Sequence, residues 1–260
     1  MKKGVCWITL CKNEADLIPY VIPYWKKIAD KVVVFDNGST DGSIELLSDY
    51  DWIEVRHFDS NGRQNDIIQK EVKEKAYLEY KDKFEIIIIT DLDEVFYFND
   101  FKAIQSVFIE KGYDVLATPI FSLCEENKPP YSEDLLLHQQ CHKFFLQKMN
   151  HMDGFENVSK LSIFNTNTVE KVTMSVGQHY VKTLPNMKII LDNNDFCLHI
   201  NKGLGVDFYI KSRRRMGENL SDVNRKYGMC NEYLRSEEEL RKEYLENQAK
   251  SFDINKIFEK

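Results

Sequence analysis

The sequence lacks any run of about 18 apolar residues, so no part of it is long and apolar enough to cross a bilayer as a helix. It also lacks a C-x-x-C pair. Its six cysteines (Cys6, Cys11, Cys124, Cys141, Cys197 and Cys230) are scattered, which argues against zinc-ribbon spacing and disulfides and fits free thiols in a cytosolic protein. A basic excess is missing: 35 Lys and Arg against 42 Asp and Glu leave a net charge of -7, which argues against a nucleic-acid or anionic-membrane partner. No small-residue cleavage site follows Met1-Lys2-Lys3-Gly4, so a cytoplasmic location is expected. Glycine is absent between Ile8 and Glu14, where a Gly-rich phosphate loop after a first strand would fall. Internal repeats and low-complexity segments are absent as well.

What is present is an ordinary globular composition, 43% hydrophobic and 12% aromatic. A chain of 260 residues buries roughly three-quarters of its unfolded surface, enough for a core without staples. Its most informative stretch runs from Phe84 to Phe96. Four consecutive isoleucines, Ile86 to Ile89, are too short and too β-branched for a helix and read as a strand buried on both faces of a parallel sheet. That strand delivers Asp91, Asp93 and Glu94 at its C-terminal end, the edge where open α/β sheets place their ligand crevices. In extended chain Asp91 and Asp93 share one face. Two neighbouring carboxylates repel, and a hard divalent cation between them is the usual relief. A solvated acidic loop is the alternative reading of a lone D-x-D.

Upstream, Val5–Leu10, Lys31–Phe35 and Ile53–His57 read as strands, each followed by a helical stretch. Asp16 is a candidate cap for the first helix, where Pro23 predicts a kink or a late start. A helix opening at Asn65 or Asp66 runs towards Tyr80, with Ile67, Ile68, Val72, Ala76 and Tyr77 as its apolar positions. This alternation predicts right-handed βαβ units and a parallel sheet. The polar turns Lys12-Asn13-Glu14 and Asp36-Asn37-Gly38 then fall on the same edge as Asp91 and Asp93. The second half is less regular: a helix over 101–111, a strand over 115–121, an exposed loop at 125–131, and antiparallel strands near 144–146 and 161–164. Ser236 and Glu239 form a capping box opening a surface helix to about Lys250, to which no chemistry is assigned. The expected organisation is a regular α/β half (1–122), a less regular half of the same domain (123–235) and a C-terminal surface helix (236–260).

Ile8-Thr9-Leu10-Cys11-Lys12-Asn13-Glu14, Val34-Phe35-Asp36-Asn37-Gly38-Ser39-Thr40-Asp41-Gly42 and Asp91-Leu92-Asp93-Glu94 resemble, in order, the signatures of family-2-type glycosyltransferases of the GT-A fold. The resemblance covers roughly the first hundred residues. It implies a GT-A-like (Rossmann-like) α/β fold, a nucleotide-sugar donor with UDP-sugar favoured, a Mn²⁺ or Mg²⁺ ion, and transfer of a hexose to an acceptor hydroxyl on a carbohydrate or glycoconjugate. By the same resemblance Leu10, Asn13 and Glu14 would line the nucleotide pocket, Asp36 would hydrogen-bond base or ribose, and Arg63 or Asp66 would sit beside the nucleotide. Asp91 and Asp93 would hold ribose and metal. Asn37 departs from the commoner second acid of the D-D-G-S-T-D pattern.

His199 in Phe196-Cys197-Leu198-His199-Ile200 is a candidate third metal ligand, or a hydrogen-bonded, half-buried histidine; His179 carries the same ambiguity. Lys202, Lys211 and Arg213-Arg214-Arg215 could neutralise a diphosphate or form a solvated helix face. Asp153 and Glu156 are the candidates for the base an inverting transfer requires. The other readings left open are a nucleotidyltransferase and a nucleotide-sugar-binding module without turnover.

Overall fold

The computed structural model describes residue 2 and residues 4–146, 159–176 and 187–253. The first seven elements alternate as expected: β1 (Val5–Cys11), α1 (Ile18–Ile28), β2 (Lys31–Asp36), α2 (Ser43–Ser48), β3 (Ile53–His57), α3 (Asp66–Tyr80) and β4 (Ile86–Ile89). Their strands lie in the order β3-β2-β1-β4, every neighbour parallel, with Trp7 opposite both Val32 and Ile88. The period-two alternation of a strand divides the isoleucine run between two cores. Ile86 and Ile88 join Trp7, Val32 and Val34 under α1, whereas Ile87 and Ile89 join Ile8 and Val33 under Ala76, Tyr77 and Tyr80 of α3. Both faces are thus apolar, which is why Val32-Val33-Val34 and the four isoleucines are continuous rather than alternating in polarity.

The chain continues through β5 (Glu94–Tyr97), α4 (Phe101–Glu110), β6 (Val115–Leu123), α5 (Leu137–Gln140), β7 (Lys143–Leu146), β8 (Ser159–Asn165), β9 (Ile189–Leu191) and β10 (Phe196–His199). A 3₁₀ turn at Asn201–Leu204 leads into α6 (Val206–Glu218) and α7 (Asp222–Tyr227), and a second at Asn231–Leu234 precedes α8 (Glu237–Ala249) and β11 (Phe252–Asp253). Strand β8 wedges between β4 and β6, antiparallel to both, and β7 extends the sheet antiparallel to β6. The described residues form the expected GT-A-like α/β architecture: a Rossmann-like parallel half with helices on both faces, continued by a less regular extension.

Strand β5 was not anticipated, and it matters for the site. It pairs antiparallel with β10, with Glu94 opposite His199, and the Ile200 N–H donates to the Asp93 carbonyl at 2.9 Å. That pairing carries a late histidine to the acid turn. Three local expectations are corrected. Asp16 does not cap α1; its carboxylate pairs with Lys128 and Lys211 at 3.5 and 3.2 Å. The late start that Pro23 suggested is not taken: α1 begins at Ile18 and Pro23 lies inside it. In α3 Ala76 and Tyr77 are buried and Ile68 and Val72 pack against the same core as expected, but Ile67 is exposed and Asp66, Lys73 and Tyr80 complete the inner face. No helix among the described residues is long and apolar enough to cross a membrane, and all six cysteines are unpaired.

Candidate active site

A cleft of about 750 Å³ opens at the C-terminal edge of the parallel strands. Leu10 and Glu14 from the first turn, Asp66 at the start of α3, Asp91 and Asp93 after β4, and His199 at the end of β10 all line it. Residues 91–93 form a turn rather than extended chain: the Glu94 N–H donates to the Asp91 carbonyl and the Asp91 N–H to the Glu94 carboxylate, both at 3.1 Å. The turn presents both acids and Leu92 to the cleft. Each acid has its own partner. Asp91 Oδ1 lies 2.6 Å from Lys73 Nζ, and Asp93 Oδ2 lies 2.7 Å from His199 Nε2. Burial works to raise the Asp93 carboxyl, but His199 outweighs it and holds the group below the usual carboxylate range.

The two polar turns are laced together. Ser39 Oγ accepts from the Asn13 N–H and Ser43 Oγ from the Glu14 N–H, both at 2.8 Å, while Asn13 Oδ1 accepts from the Thr40 N–H. Asn13 takes φ 56°, a left-handed conformation that asparagine tolerates better than most residues. Asp36 accepts from the backbone N–H groups of Gly38 and Ser39 at 2.7 and 2.9 Å and so shapes its own turn. Asn37 explains its departure from the acidic pattern. Its amide donates to the Arg63 carbonyl at 3.1 Å and its carbonyl accepts from the Ser60 N–H at 3.2 Å, a double duty no carboxylate can perform. Asn13, Asp36 and Arg63 are not among the residues lining the cleft; Asn13 and Asp36 hold the turns by their hydrogen bonds, and Arg63 is exposed and contributes its backbone carbonyl to Asn37. Glu14 is on the wall, and burial pushes its carboxyl up to about 8 against the pull of Arg215, with Asp93 and Asp41 adding to the rise. Asp66 accepts from Gln64 at 3.0 Å and from the Cys230 thiol at 3.1 Å.

The basic cluster divides. Lys211 and Arg214 lie on the exposed side of α6, pairing with Asp16 and Glu237. Arg215 turns inward, donating to the Asn13 carbonyl and the Glu14 carboxylate. Arg213 lines the cleft, its guanidinium 5.2 Å from the Tyr209 ring and 4.8 Å from the Tyr233 ring. Among the described residues no carboxylate is within ion-pair distance of it. Lys202 pairs with Glu243 at 3.1 Å, and Glu243 also accepts from Tyr209 at 3.0 Å and from Arg235 at 2.7 Å. Helix α8 therefore supplies a wall residue, although its sequence reads only as a surface helix.

Tyr233 depends on Gly217. A Cβ at Gly217 would meet the Tyr233 carbonyl oxygen, so Gly217→Ala must displace the second 3₁₀ turn and loosen the Tyr233 ring from Arg213. A loss of about 1–3 kcal/mol is expected for such overpacking, read as a lower midpoint in urea unfolding.

Sequence reading missed Lys73, Tyr209, Tyr233 and Glu243. Lys73 left one signal: it lies at helical spacing on the stripe Asp66, Lys73, Ala76, Tyr77, Tyr80. The base candidates Asp153 and Glu156 lie outside the described residues, as does His179. Among the described residues no three His, Cys, Asp or Glu side chains converge closely enough to hold a metal ion unaided. Asp93 and His199 do fit as a pair of O and N donors for an ion completed by ligand oxygens and water, the way Mg²⁺ is commonly held by one or two carboxylates plus substrate phosphates.

No protein-family model matches the sequence, and no curated protein does. Among solved structures, that of S. aureus TarS aligns over 90% of this chain and 42% of its own length, at 13% identity and TM-score 0.46. The present chain thus spans less than half of that protein. S. aureus TarS 1-349 in complex with UDP-GlcNAc aligns over 90% of this chain and 72% of that one, at 13% identity and TM-score 0.45. A 4-diphosphocytidyl-2C-methyl-D-erythritol synthase aligns over 65% and 78%, at 12% identity and TM-score 0.37.

Proposed function

We propose that the cleft binds a nucleotide-sugar, with UDP-sugar favoured, together with a divalent cation, and that the protein transfers the sugar to a hydroxyl of a carbohydrate or glycoconjugate acceptor. The observation that carries this reading is the convergence on one cleft of the Asp93–His199 donor pair and the Arg213 guanidinium. A diphosphate needs positive charge on its oxygens, and a leaving nucleoside diphosphate needs more of it as the glycosidic bond breaks. A Mn²⁺ or Mg²⁺ ion held by Asp93 and His199 would supply part of that charge as a Lewis acid. The chain's own residues do the rest. Arg213 offers a planar fork of N–H donors suited to phosphate oxygens, kept in orientation by the two tyrosine rings. Leu10, Glu14 and Asp91 line the same cleft; in this reading the first two would face the nucleotide, and Asp91 would accept a hydrogen bond from a ribose hydroxyl.

The test is thermal melting with UDP, GDP, CDP and their sugar conjugates, each with and without Mn²⁺. UDP is expected to raise the melting temperature only when Mn²⁺ is present, and slow hydrolysis of the conjugate should release free sugar and nucleoside diphosphate. Release of pyrophosphate would point to nucleotidyl transfer instead. A melting temperature indifferent to every nucleotide and to the metal would overturn the reading.

A further inference from the structure

The pairing of two acids with two different bases is unequal. Lys73 Nζ sits 2.6 Å from Asp91 Oδ1 with the lysine side chain 1% exposed and the aspartate 43% exposed. The carboxylate therefore joins the protein interior, where its counter-ion lies, to the cleft, where a ligand would arrive. Among the described residues Lys73 has no other carboxylate within ion-pair distance. An ammonium left alone in such surroundings is strongly disfavoured, so Asp91 is bound to remain with it. The two bases also differ in chemistry. A lysine ammonium has no lone pair and cannot ligate a metal, whereas neutral imidazole can exchange its hydrogen bond to Asp93 for a bond to an ion.

We propose that Lys73 is a positioning residue for the acid turn: its buried ammonium neutralises Asp91 from behind, reserving Asp91 for a hydroxyl of the bound nucleotide and leaving the divalent ion to Asp93 and His199. The inference rests on the nucleotide-sugar reading above. It makes the paired acids functionally distinct: a fixed internal cation serves the first, and the second is kept for an exchangeable one. It also sets a ceiling on metal affinity, because a positive charge held next to Asp91 opposes a second one arriving at Asp93.

The test is Mn²⁺ affinity, measured from loss of the free-ion paramagnetic resonance signal with and without UDP, for wild type and Lys73→Met. Removing a cation this close to the site is expected to tighten Mn²⁺ binding by about tenfold and to free Asp91 to join the ion. A lysine that merely filled space would give unchanged or weaker metal binding. Melting temperatures supply a second reading: Asp91→Asn is expected to be markedly destabilised, because it strands the ammonium, and adding Lys73→Met is expected to restore most of the loss. Should Lys73→Met fail to fold alone, a folded double variant still supports the pairing and an unfolded one overturns it. Equal or weaker Mn²⁺ binding by a folded Lys73→Met, with wild-type binding intact, overturns the role of Lys73 alone. Absence of Mn²⁺ binding by wild type, with UDP as well as without, removes the proposed function and this inference together.

Discussion

Arg213→Ala is expected to weaken UDP binding in the presence of Mn²⁺ by roughly a hundredfold. A charge-assisted hydrogen bond contributes about 1.5–3 kcal/mol, and each 1.4 kcal/mol is about a factor of ten in affinity, so loss of one bidentate contact to a phosphate accounts for the figure. Stability should change little. No carboxylate in the described residues forms an ion pair with Arg213, so truncation strands no buried charge. Arg213→Lys should recover only part of the binding, because an ammonium neither stacks between Tyr209 and Tyr233 nor presents a planar fork. Calorimetric titration of UDP against wild type and both variants decides it. Wild-type affinity in Arg213→Ala would remove this side chain from the phosphate site.

Asp93→Asn is expected to have the larger effect on turnover, a loss on the order of a thousandfold in transfer or donor hydrolysis, comparable to removing one preorganised electrostatic contact at a developing charge. The substitution keeps shape and leaves an amide oxygen that can still accept from His199, so the fold should persist while the negative charge that attracts a cation disappears. The signature that separates this from general damage is in binding: UDP should no longer raise the melting temperature in a Mn²⁺-dependent way, even at high metal concentration. If the metal-dependent increment survives in Asp93→Asn, the ion is held elsewhere and the proposed chemistry loses its centre.

The parallel half of the fold was legible in the sequence because its signals are local. Runs such as Val32-Val33-Val34 and Ile86 to Ile89 have one comfortable conformation, and the turn formers between Asp36 and Ser43 have another. Asp91, Asp93, Leu10 and Glu14 followed, since strand ends in such sheets lie on one edge. His199 could be suspected as a polar residue in an apolar strand, but its neighbour could not be named, because β5 is four residues long and finds β10 across about a hundred residues of chain. Arg213 was harder still. In sequence it is one of three consecutive arginines, and only the rotation of α6 separates the one over the cleft from Arg214 at the surface and Arg215 against Glu14. Lys73 was overlooked because its stripe was drawn through the isoleucines, when an ion pair with Asp91 permits a lysine to occupy the inner face. Asn13 and Asp36 lie where the turns were expected, but their hydrogen bonds are spent within the turns, a use that residue type alone does not reveal.

Helix α8 gives the molecule an order of assembly. Glu243 joins Lys202, Tyr209 and Arg235 at the cleft wall, and the Tyr244 hydroxyl donates to the Lys202 carbonyl at 2.7 Å. The turn bearing Asp91 and Asp93 leaves the ribosome about 150 residues ahead of Glu243 and Tyr244. A nascent chain can pair its first four strands early, yet its cleft stays open until α8 emerges and docks. A premature stop before Glu237 would take only the edge strand β11 from the sheet and still leave one rim of the cleft unbuilt.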